Sequence, residues 1–130
     1  MLFFGHRFIS SQVFYHVADI DSINNTPPSS NLYIEFDEDN LDIISHAEIN
    51  NTPFALKVNN ITQALYASAL NAKYIIVPKE LAKIVQDIAN NYLFDAKILV
   101  SIEEESEIEE MALLGIDGVI FSSAIIKINS

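Results

Sequence analysis

The sequence predicts an α/β protein with a mainly parallel sheet. Between residues 72 and 122, three apolar runs alternate with two segments of helical periodicity. The runs at 74–77, 98–100 and 118–121 are short, free of internal charge and rich in β-branched or aromatic residues. Such runs are typical of strands buried on both faces of a parallel sheet. Because the segments between them are long enough for crossover helices, this region is predicted to be a βαβαβ unit.

A weak internal repeat supports the same fold class. Residues 71–76 and 95–100 share an Ala-Lys pair followed by an apolar run, and residues 114–120 follow a similar pattern. Each copy reads as a helix end, a short turn and a buried strand. Repeated βα units occur both in doubly wound sheets and in barrels, so the repeat indicates the class of the fold and not its function.

The first half of the sheet is predicted from two strands and two helices. Strands are expected at 32–36 and 54–58, where apolar residues dominate. A helix at 40–49 opens with acidic residues, which suit the positive end of the helix dipole, and it ends before Pro53. Asparagines that can cap a helix precede the second one, at 61–70.

The second half follows the same alternation. Strands are predicted at 73–77, 97–101 and 118–121. The helix at 79–92 comes after a proline, which a first helical turn tolerates. The helix at 104–114 turns its apolar residues inward and its glutamates outward, and a glycine ends it.

The chain ends carry weaker signals. Residues 1–31 form an aromatic segment and a loop, with extended pieces expected near 8–9 and 12–17 and a short helical turn at 20–24. Two serines near the other end predict a last helical turn at 124–126.

These elements predict a single domain over residues 1–130, in which 32–122 are repeated βα units. The first choice is a three-layer sandwich, flavodoxin-like or Rossmann-like, around a five-stranded and mainly parallel sheet. The alternative is a half (β/α) barrel.

Composition excludes several classes of function. The net charge is −11, with only seven Lys and Arg residues and no basic stripe. Nucleic acids and anionic membranes are therefore not expected as partners. No apolar run approaches the roughly 20 residues of a membrane span, and the first residues do not resemble a signal peptide. We expect a cytoplasmic protein.

The sequence carries no cofactor or metal motif, so none is predicted. Cysteine is absent and only three glycines are present, too few for phosphate-cradling loops. His6, His16 and His46 lack the spacing of a metal site. The glutamates at 103–110 are interpreted as the solvated face of a helix.

The candidate ligand site lies where the strands end. Ligands of open parallel sheets bind beyond the carboxyl ends of the strands. The alternative is that the residues there are ordinary caps and loop residues. The candidates are Asp37, Lys57, Asn59, Lys79, Ser101, Ser122 and Ser123.

The phrases ALNAKYIIV and LLGIDGVIF give residues 54–123 a resemblance to part of a phosphate-binding (β/α) barrel, such as the keto-deoxy-phosphogluconate aldolases. The resemblance implies a Schiff-base lysine inside a late strand and glycine-rich phosphate loops. The late strands contain only Lys97, at a strand start, so no catalytic residue is assigned. A closed barrel of this kind typically needs eight strands and about 250 residues, so this chain is too short to close one.

The chain also resembles the response-regulator receiver domains in shape. That family has acidic residues after its first strand, for which Asp37 and Glu38 could stand. It also has a phospho-accepting aspartate after its third strand, where this chain has Pro78 and Lys79. No phosphorylation site is therefore predicted.

The sequence leaves two functions open. The absence of a catalytic signature and the aromatic N-terminal segment favour a non-catalytic, homodimeric interaction or regulatory module. The alternative is a small enzyme or ligand-binding domain that uses the carboxyl edge of the sheet, for example for a phosphorylated metabolite. The interface candidates are Phe3, Phe4, Phe8, Phe14 and Tyr15.

Overall fold

The computed structural model describes residues 1–128, so the last two residues of the predicted domain lie outside the described range. Over that range, strands and helices alternate from β2 to β7. The strands are β1 Leu2–Phe4, β2 Phe14–His16, β3 Asn31–Glu35, β4 Phe54–Lys57, β5 Tyr74–Val77, β6 Lys97–Ile102, β7 Gly118–Phe121 and β8 Ile125–Lys127. The α-helices are α1 Ile20–Ile23, α2 Leu41–Ile49, α3 Ile61–Ala69, α4 Ala82–Asn91 and α5 Ser106–Leu113.

The described strands form one sheet of eight, all parallel, in the order β1-β7-β6-β5-β4-β3-β2-β8. The sheet is curled. Phe4 of β1, at one edge, packs its ring 5.1 Å from the ring of Phe14 of β2, which is next to the opposite edge. A Cβ placed on Gly5 would lie 2.9 Å from the backbone nitrogen of Ala124, just before β8. The two ends of the sheet therefore approach each other.

The mainly parallel α/β class is confirmed, but the prediction of a five-stranded sheet is wrong. The curled sheet corresponds to the alternative, the half barrel, and not to a flat three-layer sandwich. Eight strands fit into a short chain because β1, β2 and β8 have only three residues each.

Two separate apolar clusters explain why helices cover only one face. On the convex face, α2, α3, α4 and α5 pack against the strands. Their buried residues there include Ile43, Ile44, Ala47, Ala64, Ala67, Val85, Ala89 and Met111. Among the described residues, the concave face is filled from the strands and from Ala124, in the turn before β8, and it contains no residue of an α-helix. Its buried members are Phe4, Phe14, Tyr33, Ala55, Tyr74, Ile76, Leu99, Ile120 and Ala124.

The concave rings leave no room for a second helical layer. Phe4 and Phe14 both lie 5.4 Å from Tyr74, with edge-to-face geometry. Full burial of one such ring contributes roughly 1.5–3 kcal/mol. Aromatic residues in the N-terminal segment therefore form part of the chain's own core.

The predicted elements between 32 and 121 agree with the structure to within one or two residues at most of their ends. The short helical turn predicted at 20–24 corresponds to α1. The extended piece predicted at 8–9 is wrong: Phe8 is exposed, because the chain leaves the sheet after β1. The last helical turn lies at Ser122–Ala124 instead of 124–126, and β8 follows because two isoleucines pair beside β2.

Candidate functional site

The parallel register gathers ionisable side chains at the carboxyl end of the concave face. Tyr33 belongs to the concave cluster, and Glu35, two residues further along the same strand, faces the same side. Glu35 lies directly opposite Lys57 of β4. His16 of β2 lies between its partners Tyr33 and Lys127.

Ser101 of β6 completes this group, because it lies opposite the concave residue Ile120. We call the set the concave mouth. It consists of His16, Tyr33, Glu35, Lys57, Ser101 and Lys127.

The charges of Glu35 and Lys127 affect the pKa of neighbouring groups in the mouth. Burial lowers the pKa of His16 below its ordinary value; the Glu35 carboxylate raises it and the Lys127 ammonium lowers it, both to a smaller extent. Burial, and after it Glu35, raises the pKa of Tyr33 to about 12. The His16 ring also lies 4.9 Å from the Tyr33 ring, edge to face. Near neutral pH, the mouth therefore holds an uncharged imidazole and an uncharged phenol beside a carboxylate.

Within residues 1–128, most polar side chains of the mouth form no hydrogen bond or ion pair. Lys57 Nζ donates to Asn59 Oδ1 at 3.0 Å and to the Val58 carbonyl at 3.4 Å. Within residues 1–128, Glu35 and Lys127 form no ion pair or side-chain hydrogen bond. The hydroxyl of Ser101 likewise has no hydrogen-bond partner in that range. These groups can contact a ligand without first breaking a bond inside the protein.

Two of the predicted ligand candidates lie in the concave mouth, and the other five lie outside it. Lys57 and Ser101 lie in the concave mouth. Asp37 accepts a hydrogen bond from the backbone N–H of Asp39 at 2.8 Å and so caps the turn before α2. The backbone N–H of Asn59 donates to Gln63 Oε1 at 2.8 Å, while its side chain accepts from Lys57. Asp37 and Asn59 thus serve local structure.

Lys79 is bound by α5. Its Nζ lies 2.9 Å from Glu110 Oε2 and 3.4 Å from Glu107 Oε1. The hydrogen bond to Glu110 raises the pKa of Lys79. The pKa of Glu107 is lowered, first by the backbone N–H groups of Glu104 and Glu103. Lys79 therefore ties the start of α4 to α5.

The two serines after β7 also have protein partners. Ser122 Oγ donates to Glu103 Oε2 at 3.4 Å, and Ser123 Oγ donates to the Gly5 carbonyl at 2.8 Å. For Asp37, Asn59, Lys79, Ser122 and Ser123, the local contacts are those of caps and loop residues.

A cavity of about 220 Å³ lies beside these serines, at the ends of β1, β6 and β7; it is lined by Gly5, His6, Arg7, Glu103, Glu105 and Phe121. Both ring nitrogens of His6 are engaged there. Nε2 lies 3.0 Å from Glu105 Oε1, and Nδ1 accepts from the backbone N–H of Phe8 at 3.1 Å. Arg7 joins the same carboxylate at 3.2 Å. His6 therefore links the loop after β1 to the loop before α5, and neither of its nitrogens is free to act as a base.

Sequence reasoning missed His16, Tyr33, Glu35 and Lys127. The prediction took the residues that follow each strand, whereas the mouth is built mainly from the last inward-facing residue within each strand. The spacing of Tyr33 and Glu35 indicates that both side chains lie on the same face of β3. It predicts a site residue only when it is known which face of that strand is the concave one.

The interface candidates differ widely in exposure. Phe4 and Phe14 are buried inside the chain, while Phe3 and Tyr15 are half-buried. Phe8 is 75% exposed. Self-association through this segment stays a prediction.

Two further observations concern metals and membranes. Among residues 1–128, no group of three or more His, Asp or Glu side chains is arranged to hold a metal ion. No helix in that part of the chain is long and apolar enough to cross a bilayer.

No protein-family model and no curated protein sequence matches this chain. The assignment of a site therefore rests on the sequence and the geometry alone.

Proposed function

We propose that this chain is a ligand-binding domain that holds a small polar molecule at the concave mouth. Four neighbouring strands, β8, β2, β3 and β4, contribute Lys127, His16, Glu35 and Lys57 to one end of one face. Ligands of parallel sheets bind at this carboxyl end. The proposal includes a cytoplasmic location.

The observation that carries the proposal is that Glu35 forms no ion pair or side-chain hydrogen bond within residues 1–128. Two lysines of this chain do pair with nearby carboxylates: Lys83 lies 2.7 Å from Asp87, and Lys79 lies 2.9 Å from Glu110. Glu35 and Lys57 are direct neighbours across two strands, yet Lys57 turns to Asn59 instead. Glu35 is exposed and lies on a strand between those of Lys57 and Lys127, so its carboxylate is accessible to a ligand.

A thermal-shift panel of phosphorylated and carboxylated metabolites, including amino acids, tests the proposal. A ligand that binds the folded state stabilises it by about 2.7 kcal/mol at one hundred times its Kd. We expect at least one such ligand to raise the melting temperature of the wild type, and we expect Glu35→Gln or Lys57→Met to remove most of that shift.

Lys97→Met is the matched control, since Lys97 is an exposed lysine at the opposite, amino end of β6. It should retain the full ligand shift. A panel without any hit would contradict the proposal, as would a ligand shift that is equal in the wild type and in both mouth variants.

A second candidate is the homodimeric interaction module. It is supported by exposed apolar residues in the N-terminal segment: Met1 is 48%, Leu2 is 37%, Phe8 is 75% and Ile9 is 42% exposed. Exposed apolar patches mark interfaces.

Sedimentation of the wild type and of Phe8→Ser tests this second candidate. A dimer is expected at high micromolar concentration, with a lower apparent mass for the variant and an unchanged far-ultraviolet circular dichroism spectrum. Phe4→Ser is unsuitable as a test, because Phe4 belongs to the core. A wild type that sediments as a monomer would exclude the homodimer.

A further inference from the structure

We infer that the concave mouth binds a zwitterion, a small molecule that carries both an ammonium and a carboxylate. This inference rests on the proposed function, and it adds the chemical class of the ligand. It follows from the order of charges along the mouth and from the hydrogen-bonding capacity that each group has left.

The charges alternate along the sheet. Lys127 on β8, Glu35 on β3 and Lys57 on β4 give the order positive, negative, positive, with His16 on β2 between Lys127 and Glu35. A ligand with only a carboxylate would be attracted by a lysine but repelled by Glu35, and a ligand with only an ammonium would be attracted by Glu35 but repelled by the lysines. A ligand with both groups can place its ammonium beside Glu35 and its carboxylate beside the neighbouring Lys57.

Lys57 keeps one donor for a ligand. An ammonium has three N–H donors, and the protein uses two of them, toward Asn59 Oδ1 and the Val58 carbonyl. Those two contacts hold Nζ near the start of α3 and away from Glu35. The third donor is left for a ligand carboxylate, so the protein pre-positions the cation instead of neutralising it.

Glu35 keeps its full accepting capacity. Its carboxylate is acceptor-only when ionised, and it has no protein partner within the described residues. Neither neighbouring group is an anion near neutral pH, since a neutral imidazole and a phenol whose pKa is raised to about 12 carry no negative charge. Glu35 is thus the group that would accept hydrogen bonds from a ligand ammonium, with the Tyr33 hydroxyl beside it.

An amino acid series of increasing length provides the test, with glycine, β-alanine, 4-aminobutanoate and 5-aminopentanoate as probes. Butanoate and butylamine are the matched compounds with one charge each. Binding to the full chain is followed by NMR chemical-shift titration of the backbone amides. We expect at least one amino acid of the series to bind about tenfold more tightly than either single-charge compound, since each charge-assisted hydrogen bond to the mouth is worth about that factor.

Two variants separate the roles of the two charges. Glu35→Gln should abolish the preference for the tightest-binding amino acid of the series over butanoate. Lys57→Met should abolish the preference for the same amino acid over butylamine. Lys97→Met should leave both preferences as they are in the wild type. Circular dichroism establishes that each variant is folded before its binding is compared.

The possible failures are distinguishable. If butanoate binds as tightly as every amino acid of the series, and Lys57→Met weakens it, the zwitterion inference is wrong while a ligand-binding mouth stands. If no amino acid of the series binds although a metabolite of the panel with charge of a single sign does, the inference is wrong in the same way. If neither the series nor any metabolite of the panel binds, both proposals fall together.

Discussion

At the scale of single residues, the approach of the two ends of the sheet to each other depends on Gly5. Its φ is +84°, a conformation that side chains with a Cβ rarely adopt. An added Cβ would lie 2.8 Å from Ser123 Oγ and 2.9 Å from the backbone nitrogen of Ala124. Gly5 therefore lets β1 end against the segment that leads into β8.

We predict that Gly5→Ala lowers the free energy of unfolding by about 1–3 kcal/mol, from backbone strain together with steric conflict. Gly115→Ala is the matched control, because Gly115 has a similar φ of +75° with nothing within 4 Å of an added Cβ. Urea denaturation measures both losses. If the two variants lose the same free energy, the contact with Ala124 contributes nothing.

The site was partly predictable at this scale. Lys57 and Ser101 were found because they lie at the ends of strands that the sequence shows clearly. Glu35 was missed because its role depends on which face of β3 is concave. That face is set by packing across the sheet, where Phe4, Phe14 and Tyr74 meet, and not by any local pattern.

At the scale of elements, the β-strands between residues 31 and 121 and helices α2 to α5 were predictable. Each has a run or a helical pattern of apolar residues that is bounded by a capping or helix-breaking residue. β1, β2 and β8 were harder, since three residues are too few to establish a period. Their strand state comes from their neighbours: β1 pairs with β7, and β8 pairs with β2.

One buried side chain joins three elements. Gln86 of α4 is only 2% exposed, and its Oε1 accepts from the backbone N–H of Asp117 at 2.9 Å. Asp117 Oδ2 in turn accepts from the N–H of Ile98 at 2.9 Å, at the start of β6. This chain of hydrogen bonds sets the position of α4 relative to β6 and to the turn before β7.

We predict that Gln86→Leu lowers the free energy of unfolding by about 1–3 kcal/mol, because it leaves the Asp117 N–H without its acceptor. Asn91→Ala is the control: Asn91 is an exposed residue of the same helix whose side chain forms no hydrogen bond within residues 1–128, so the change should stay within about 0.5 kcal/mol. Chemical denaturation measures both. A Gln86→Leu variant as stable as the control would show that the network does not stabilise the fold.

At the scale of the whole molecule, the strong sequence signals are compatible with both a flat and a curled parallel sheet. The segments with the weakest sequence signals determine which of the two forms, because they add β1, β2 and β8 at the two ends of the sheet. The concave aromatic rings then take the place that a second layer of helices would occupy in a sandwich. Curling also brings β8 beside β2 and so places Lys127 next to His16.

The central claim is that His16, Glu35 and Lys127 lie close enough at the concave mouth for the two charges to shift the pKa of the imidazole. An NMR pH titration of the His16 ring tests it most directly, in the wild type and in two variants. The pKa of His16 should lie below the ordinary 6.5 in the wild type. Glu35→Gln should lower it further, because the carboxylate favours the imidazolium, and Lys127→Gln should raise it, because the ammonium disfavours it. Lys97→Gln, at the far end of β6, should leave it unchanged, whereas a His16 pKa that neither Glu35→Gln nor Lys127→Gln moves would contradict the account.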